Sequence, residues 1–420
     1  MLRPYRDVLA RPGALRFTLA GLIARLPTPM VGLGIVLMVS ALYGSYGMAG
    51  RVSAVFVVVQ AVCSPQLAKL VDRYGQARVM RPSLAVACVG LTALVVAAVQ
   101  HAPETVLYLA AGVSGATMGS IGALVRARWS GTLTTPAEMH TAYSLESALD
   151  ELTFIGGPVI ATFLATGVTP WSALVVPIVA VLVGGYWFLS QRETEPPATG
   201  RPPRRTGEPM LSGALLVLLV IFLATGVVFG GIDVAVVAFT EAHGAPATAG
   251  LVLAAVALGS LIAALTYGAR PWTSPLWLRL IGGTALLAVG TAALLAAGSI
   301  PVLAAVGFLA GFAIAPTIVN GNSFVQLIVP PRRTTEGFTW LSAAIGIGVS
   351  LGASVSGTVI DLHGARAGFA VVAAPGARRG SARSARTAAA AAAALLVCLA
   401  AVPALRRAAE RRPTLDEATA

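Results

Sequence analysis

Four ionisable residues stand where an apolar chain has least reason to carry them. Arg25 lies in GLIARLP, and Glu146, Asp150 and Glu151 lie in YSLESALDELTF. Both stretches sit inside long apolar runs, where a charge is costly and is kept for pairing or for proton chemistry. Arg25 falls about nine residues into the first run, roughly 14 Å deep at the rise of an α-helix. Glu146 falls at a similar depth in the fifth run, which starts from the same side, so the two can pair. Asp150 follows one helical turn later on the same face, and Glu151 points roughly 100° away. Two carboxylates around one arginine have two uses. One carboxylate can titrate while Arg25 changes partners, which couples protons to another process. Alternatively, the three form a fixed internal salt bridge that holds the two runs together.

Other polar residues are more dispersed. Arg126 and Arg128 end the fourth run and suit anchors or gate partners better than ligands. Asn320 and Asn322 flank Gly321, and Gln326 follows one turn later. Amides in an apolar helix need partners, so these three either line a solute cavity or cap a local break. Tyr43, near the far end of the first run, either lines an exit or anchors at the interface. Asp233 near the outer end of the seventh run, with Glu241 beyond it, is a candidate for an outer gate or a proton entry, or for a plain surface position. No GxxxxGK[ST] loop, GxSxG or HExxH is present, and His101, His140, His243 and His363 are scattered. ATP-driven work, hydrolytic catalysis, a metal centre and a cofactor are therefore not expected. Cys63, Cys88 and Cys398 fall in apolar runs and are expected as small buried hydrophobes.

The elements that must position these residues are membrane helices. Of 420 residues, 56% are hydrophobic and 11% charged, about half the charge of a soluble domain. Apolar runs of spanning length are read at 15–43, 47–70, 79–99, 104–127, 139–165, 170–190, 210–236, 246–268, 276–298, 301–328, 335–360 and 386–403. Pro27 and Pro29 predict a kink in the first. It is expected to remain as a helix, not to be cleaved as a signal peptide. Arginine or lysine marks the loops after the second, fourth, sixth and tenth runs, whereas those after the first, fifth and ninth carry none. This asymmetry predicts that the basic loops and both termini are cytoplasmic. The net charge of +12 is thus explained by topology and anionic lipid, and no nucleic-acid module accompanies it. The basic stretch with Arg378, Arg379, Arg383 and Arg386 runs against the rule, so the path of residues 361–390 stays open.

QRETEPPATGRPPRRTGEPM is a linker by composition and is expected to be flexible. It divides the chain into a six-helix bundle at 1–190, a cytoplasmic linker at 191–209, a second six-helix bundle at 210–403 and a tail at 404–420. Two such halves imply pseudo-twofold symmetry with a cleft between them. Gly348 and Gly352 in the eleventh run form a small-xxx-small surface, expected to pack against the second run across that interface.

The segment SPQLAKLVDRYGQARVM, after the second run, resembles the loop signature of the major facilitator superfamily. Asp72, Arg73 and Gly75 match it, and Ala68 replaces its first glycine. Gln76 and Ala77 stand at usually basic positions, and Arg78 restores a charge one place later. Gly156, Gly157 and Pro158 look like part of the fifth-helix signature of the family's exporters. Ala111 stands where the family's proton-linked arginine would fall. The resemblance implies an all-α membrane protein with two six-helix bundles related by a pseudo-twofold axis. It also implies a gating loop of Asp72, Arg73, Gly75 and Arg78, with Arg126 and Arg128 beside it, latching the halves on the cytoplasmic side. The implied activity is secondary active transport by alternating access, functional as a monomer, in a bacterial plasma membrane. Few fixed charges in the cleft-forming runs point to a lipophilic or weakly polar solute, exported in exchange for protons. A proton-coupled importer of a small metabolite and a non-transporting receptor or scaffold remain as alternatives.

Overall fold

The computed structural model describes residues 3–200, 212–245 and 248–363. In hydrocarbon a backbone must satisfy its own polar groups, which long apolar runs do as helices. Among the described residues eleven helices are long and apolar enough to span a membrane. They are span 1 (Ala14–Tyr43), span 2 (Gly47–Tyr74), span 3 (Gln76–Val99), span 4 (Glu104–Thr132), span 5 (Pro136–Gly167) and span 6 (Pro170–Ser190). After the linker come span 7 (Gly213–Ala242), span 8 (Ala249–Gly268), span 9 (Leu276–Leu294), span 10 (Ile300–Ile328) and span 11 (Pro331–Ile360). The predicted run at 386–403, the tail at 404–420, Cys398 and the basic stretch before the twelfth run lie outside the described residues. Of the other cysteines, Cys88 is buried as expected, whereas Cys63 is only half-buried. The end of the bundle that carries the loops with Arg73, Arg78, Arg192 and Arg332 is the basic face.

Local chemistry sets the boundaries. Span 1 stops at Gly44, whose φ of 66° suits a residue without Cβ. Ser45 then accepts the Met48 N–H (3.2 Å) and starts the next helix. Thr135 starts span 5 the same way, accepting the Glu138 N–H at 3.3 Å. Span 1 breaks at Leu26, directly before Pro27, as the prolines predict. Two further breaks occur. Span 4 divides at Gly119, with φ 65° and no proline nearby, and span 10 divides at Phe312 and Ala313, where Pro316 cannot donate to the Phe312 carbonyl four residues back. The second break precedes the Asn320 amide by more than a full turn, so the amides of span 10 do not cap it.

Gly348 and Gly352 pack against span 7, not span 2. A Cβ on Gly348 would overlap the Leu223 carbonyl, and one on Gly352 the Val227 carbonyl. Gly226 and Gly230 of span 7 approach the Ile345 and Val349 carbonyls in return. Spacing of small residues reveals a close contact but not which neighbour makes it, which is why sequence placed the seam wrongly. Gly348→Val should therefore destabilise the protein by about 1–3 kcal/mol through overpacking. Thermal unfolding in detergent measures this, and an unchanged midpoint would mean the seam is looser than described.

A short helix, Arg3–Leu9, precedes span 1. Its Tyr5 hydroxyl donates to the Leu265 carbonyl at 2.8 Å, so the N-terminus braces the basic end of span 8. Burial pushes the Tyr5 phenol up, so it stays a donor well into the alkaline range. The linker also departs from expectation. The Thr199 and Gly200 N–H groups donate to the Asp72 and Arg73 carbonyls (3.0 and 3.1 Å), so residues 195–200 form a strap over the loop between spans 2 and 3. Composition marks this stretch as flexible because backbone bonds to a distant loop leave no trace in sequence.

Candidate functional site

Spans 1, 4 and 5 bring the predicted charges together in the bundle interior. Arg25 and Glu146 are buried, at 2% and 0% exposure, and pair through Arg25 Nη2 and Glu146 Oε2. Arg25 Nη1 binds Asp150 Oδ1 at 2.7 Å. Arg126 Nη2 binds the other oxygen, Oδ2, at 2.6 Å. The indole N–H of Trp129 donates to Glu146 Oε1 at 2.8 Å. Arg126, read from sequence as an end-of-helix anchor beside the gate, is thus a buried member of this network. Two guanidiniums face two carboxylates, and each carboxylate oxygen has an N–H donor. Arginine can only donate, so a proton on either acid would set an O–H against an N–H. The geometry suits permanent charge on both acids.

Glu151 is held differently. Its Oε1 accepts the Ser260 hydroxyl at 2.6 Å, from span 8 across the cleft between halves. No cation lies within ion-pairing distance of it among the described residues. A hydroxyl can donate to a carboxylate or accept from a carboxylic acid, so this contact fits either form of the acid. Sequence shows that Glu151 leaves the Arg25 face. A lone serine in an apolar helix gives no sign of what it will meet.

At the basic face the halves are in contact. Asp72 receives the first N–H groups of the last described helix: Thr335 N–H on Oδ1 at 3.2 Å and Glu336 N–H on Oδ2 at 2.9 Å. A helix N-terminus carries partial positive charge, so the carboxylate is well placed there. Glu336 lies beside it and is balanced by Arg333 (2.7 Å) and Lys69 (3.6 Å). A second seam joins spans 5 and 8. There the Thr141 hydroxyl donates to the Gly268 carbonyl (2.9 Å), and His140 Nε2 lies 3.0 Å from the Tyr267 carbonyl. The loop between spans 8 and 9 has no carboxylate, so this seam has no counterpart to Asp72. The gap left among Ser64, Ala68, Met80, Thr335 and Thr339 is about 10 Å³, at the lower limit for a single water.

The remaining predicted residues are spread out. Gly75, with φ 95°, turns the chain between spans 2 and 3. Arg73 lies over the Tyr74 ring at 4.8 Å. Arg78 is exposed on the basic face. Arg128 is buried, donating to Gln76 Oε1 and to the Gln191 carbonyl (both 2.9 Å), with its guanidinium 3.8 Å over Phe188. It ties the linker to the loop after span 2. Asn320 is buried and accepts the Tyr267 hydroxyl (3.1 Å), while its Nδ2 has no partner among the described residues. Gln326 accepts the Tyr143 hydroxyl (3.1 Å), another bond between halves. Asn322 is buried in the same span. Tyr43 donates to the Ala102 carbonyl (2.8 Å) at the face opposite the basic one. Asp233 is exposed in span 7, about 14 Å from its far end at the rise of a helix, and Glu241 is exposed near that end.

A sequence profile of the Major Facilitator Superfamily matches residues 17–279 and 218–377. The chain belongs to the Major Facilitator Superfamily. This superfamily member is a multi-pass membrane transporter of a small-molecule solute rather than an enzyme. No curated protein sequence matches it. Its fold is similar to that of the human organic anion transporter MFSD10 (TETRAN), with a TM-score of 0.69 at 16% identity, over 92% of this chain and 99% of that one. It is also similar to a bacterial homologue of the iron transporter ferroportin in an outward-facing state, with a TM-score of 0.71 at 14% identity, over 92% and 98% of the two chains. At such identities the likeness is one of fold: all-α, with two bundles related by a pseudo-twofold axis.

Proposed function

We propose that this transporter exports a small lipophilic or weakly polar solute by alternating access, in exchange for protons. The basic face is its cytoplasmic side, following the arginine-rich loops, and the membrane is a bacterial plasma membrane. The observation that carries the reading is the seat of Asp72 on the helix N-terminus of the opposite half. A contact that joins two bundles at one end alone can close that end and be released. The bundles are those at 1–190 and 210–403, joined by the linker at 191–209, and one chain suffices for the cycle.

For the coupling proton, Glu151 is the better carrier. Glu146 and Asp150 are matched by Arg25 and Arg126, which favours the fixed salt-bridge reading of that cluster. Around Glu151, span 8 brings no ionisable side chain but Tyr267, and span 10 brings none. Arg25 from span 1 and Arg126 from span 4 are engaged by the other acids. A neutral Glu151 tolerates a dry seam between spans 5 and 8, whereas an ionised one needs water. Its charge therefore biases which side of the seam is open.

One test needs no identified solute. Spin labels at the basic ends of spans 2 and 11 report their separation across a pH series. Wild type should shift with pH and Glu151→Gln should not. A pH-insensitive wild type would remove proton coupling, while a pH-sensitive Glu151→Gln would move it to another group. Direction follows from a lipophilic fluorescent dye in proteoliposomes under an imposed pH gradient. Extrusion supports export, accumulation supports the importer reading, and saturable binding without flux supports a receptor.

A further inference from the structure

The basic face carries a groove of about 500 Å³ whose walls include Tyr74, Arg78, Arg81, Arg192 and Glu195. Arg78 and Arg192 are exposed, and neither side chain has a hydrogen bond or ion pair among the described residues. Arg81 donates one N–H to the Leu189 carbonyl (3.1 Å), and its buried Nε has no partner among the described residues. The single acid in the walls, Glu195, is occupied by the Ala77 N–H at 3.0 Å. Three guanidiniums thus face one engaged carboxylate.

Directly along the helix from this groove runs an apolar stripe that the protein leaves uncovered. On span 3, Val86 and Val89 follow Arg78 and Pro82 at helical spacing, and both valines are exposed. On the neighbouring span 6, Leu182, Val183 and Trp187 are exposed. The two spans are joined where the Tyr186 hydroxyl donates to the Arg81 carbonyl at 2.9 Å. A free anion would use the guanidiniums and leave the stripe unused. A zwitterionic headgroup would bring an ammonium against three arginines. We propose that the groove binds the headgroup of an anionic phospholipid from the leaflet on the basic side, with its acyl chains along spans 3 and 6.

The site reaches the latch. Glu195 begins the strap whose Thr199 and Gly200 N–H groups donate to the Asp72 and Arg73 carbonyls, and Arg192 lies in the short turn Arg192–Thr194 that leads into it. A phosphate held between Arg78 on span 3 and Arg192 in the turn leading into the strap pins the strap to the loop that presents Asp72. Anionic lipid therefore favours the closed basic face. The proposal is independent of solute and of coupling ion.

The test is native mass spectrometry of the full chain in detergent, with phosphatidylglycerol or phosphatidylcholine added. Phosphatidylglycerol should be retained in preference. Arg78→Gln with Arg81→Gln should lower its retention roughly thirtyfold, the expected loss for two arginines near an anionic headgroup. Arg192→Gln, outside the spans and so remote from folding, should lower it roughly fivefold. Equal retention of the two lipids would overturn the proposal, as would wild-type retention in both variants. Displacement of phosphatidylglycerol by millimolar inorganic phosphate would assign the groove to a free anion and overturn the lipid reading.

Discussion

Arg25→Met should cost the folded protein about 3–5 kcal/mol, the penalty for removing one partner from a buried ion pair. The variant leaves Glu146, fully buried, with only the Trp129 indole as a donor. Asp150 keeps Arg126, so one negative charge stays uncompensated in the bundle interior. The effect should appear as a lower unfolding midpoint in detergent and a poor yield of monodisperse protein. Arg25→Met with Glu146→Gln removes both members of the pair and should recover most of the loss. If Arg25→Met alone were as stable as wild type, Glu146 would have to be neutral, and the fixed ion-network reading would fail.

Asp72→Asn should release the basic face. The amide is nearly isosteric, so folding is little affected. It offers one carbonyl acceptor to two N–H groups and turns its own NH₂ toward the second. The negative charge on the helix N-terminus is lost as well. Charge-assisted bonds of this kind contribute about 2–3 kcal/mol, which corresponds to a shift of about 30- to 150-fold in the balance of closed and open forms. Ser64 borders the closed gap, so a Ser64→Cys reporter, in a background stripped of the native cysteines, reads that balance through its alkylation rate. Adding Asp72→Asn to this background should speed alkylation by about the same factor. Unchanged rates would mean that the seam of spans 5 and 8 holds the face shut without the carboxylate.

The spans were legible because membrane helices are written as hydropathy, which needs no partner to be read. The pairing of Arg25 with Glu146 was legible too, since helix rise places both at one depth and a buried charge requires an opposite one. Arg126 was not. It stands near the end of an apolar run, and the break at Gly119, which precedes it, is not signalled by proline. Glu151 showed only a direction, because its partner Ser260 is one small hydroxyl among many. The Gly348 seam and the linker strap failed for a common reason: both depend on backbone carbonyls of a distant segment, and every residue type carries one.

The glycine seam has a mechanical consequence. Gly226 and Gly230 on one side, and Gly348 and Gly352 on the other, press backbone against backbone, leaving at these four positions no side chain whose rotamers could absorb sliding. Spans 7 and 11, of 30 residues each, thus form a stiff paired strut about 45 Å long. Thr335 and Glu336, which seat Asp72, form one tip, and Asp233 rides toward the other. A reporter fixed at the far tip would register release of Asp72 across the whole membrane thickness.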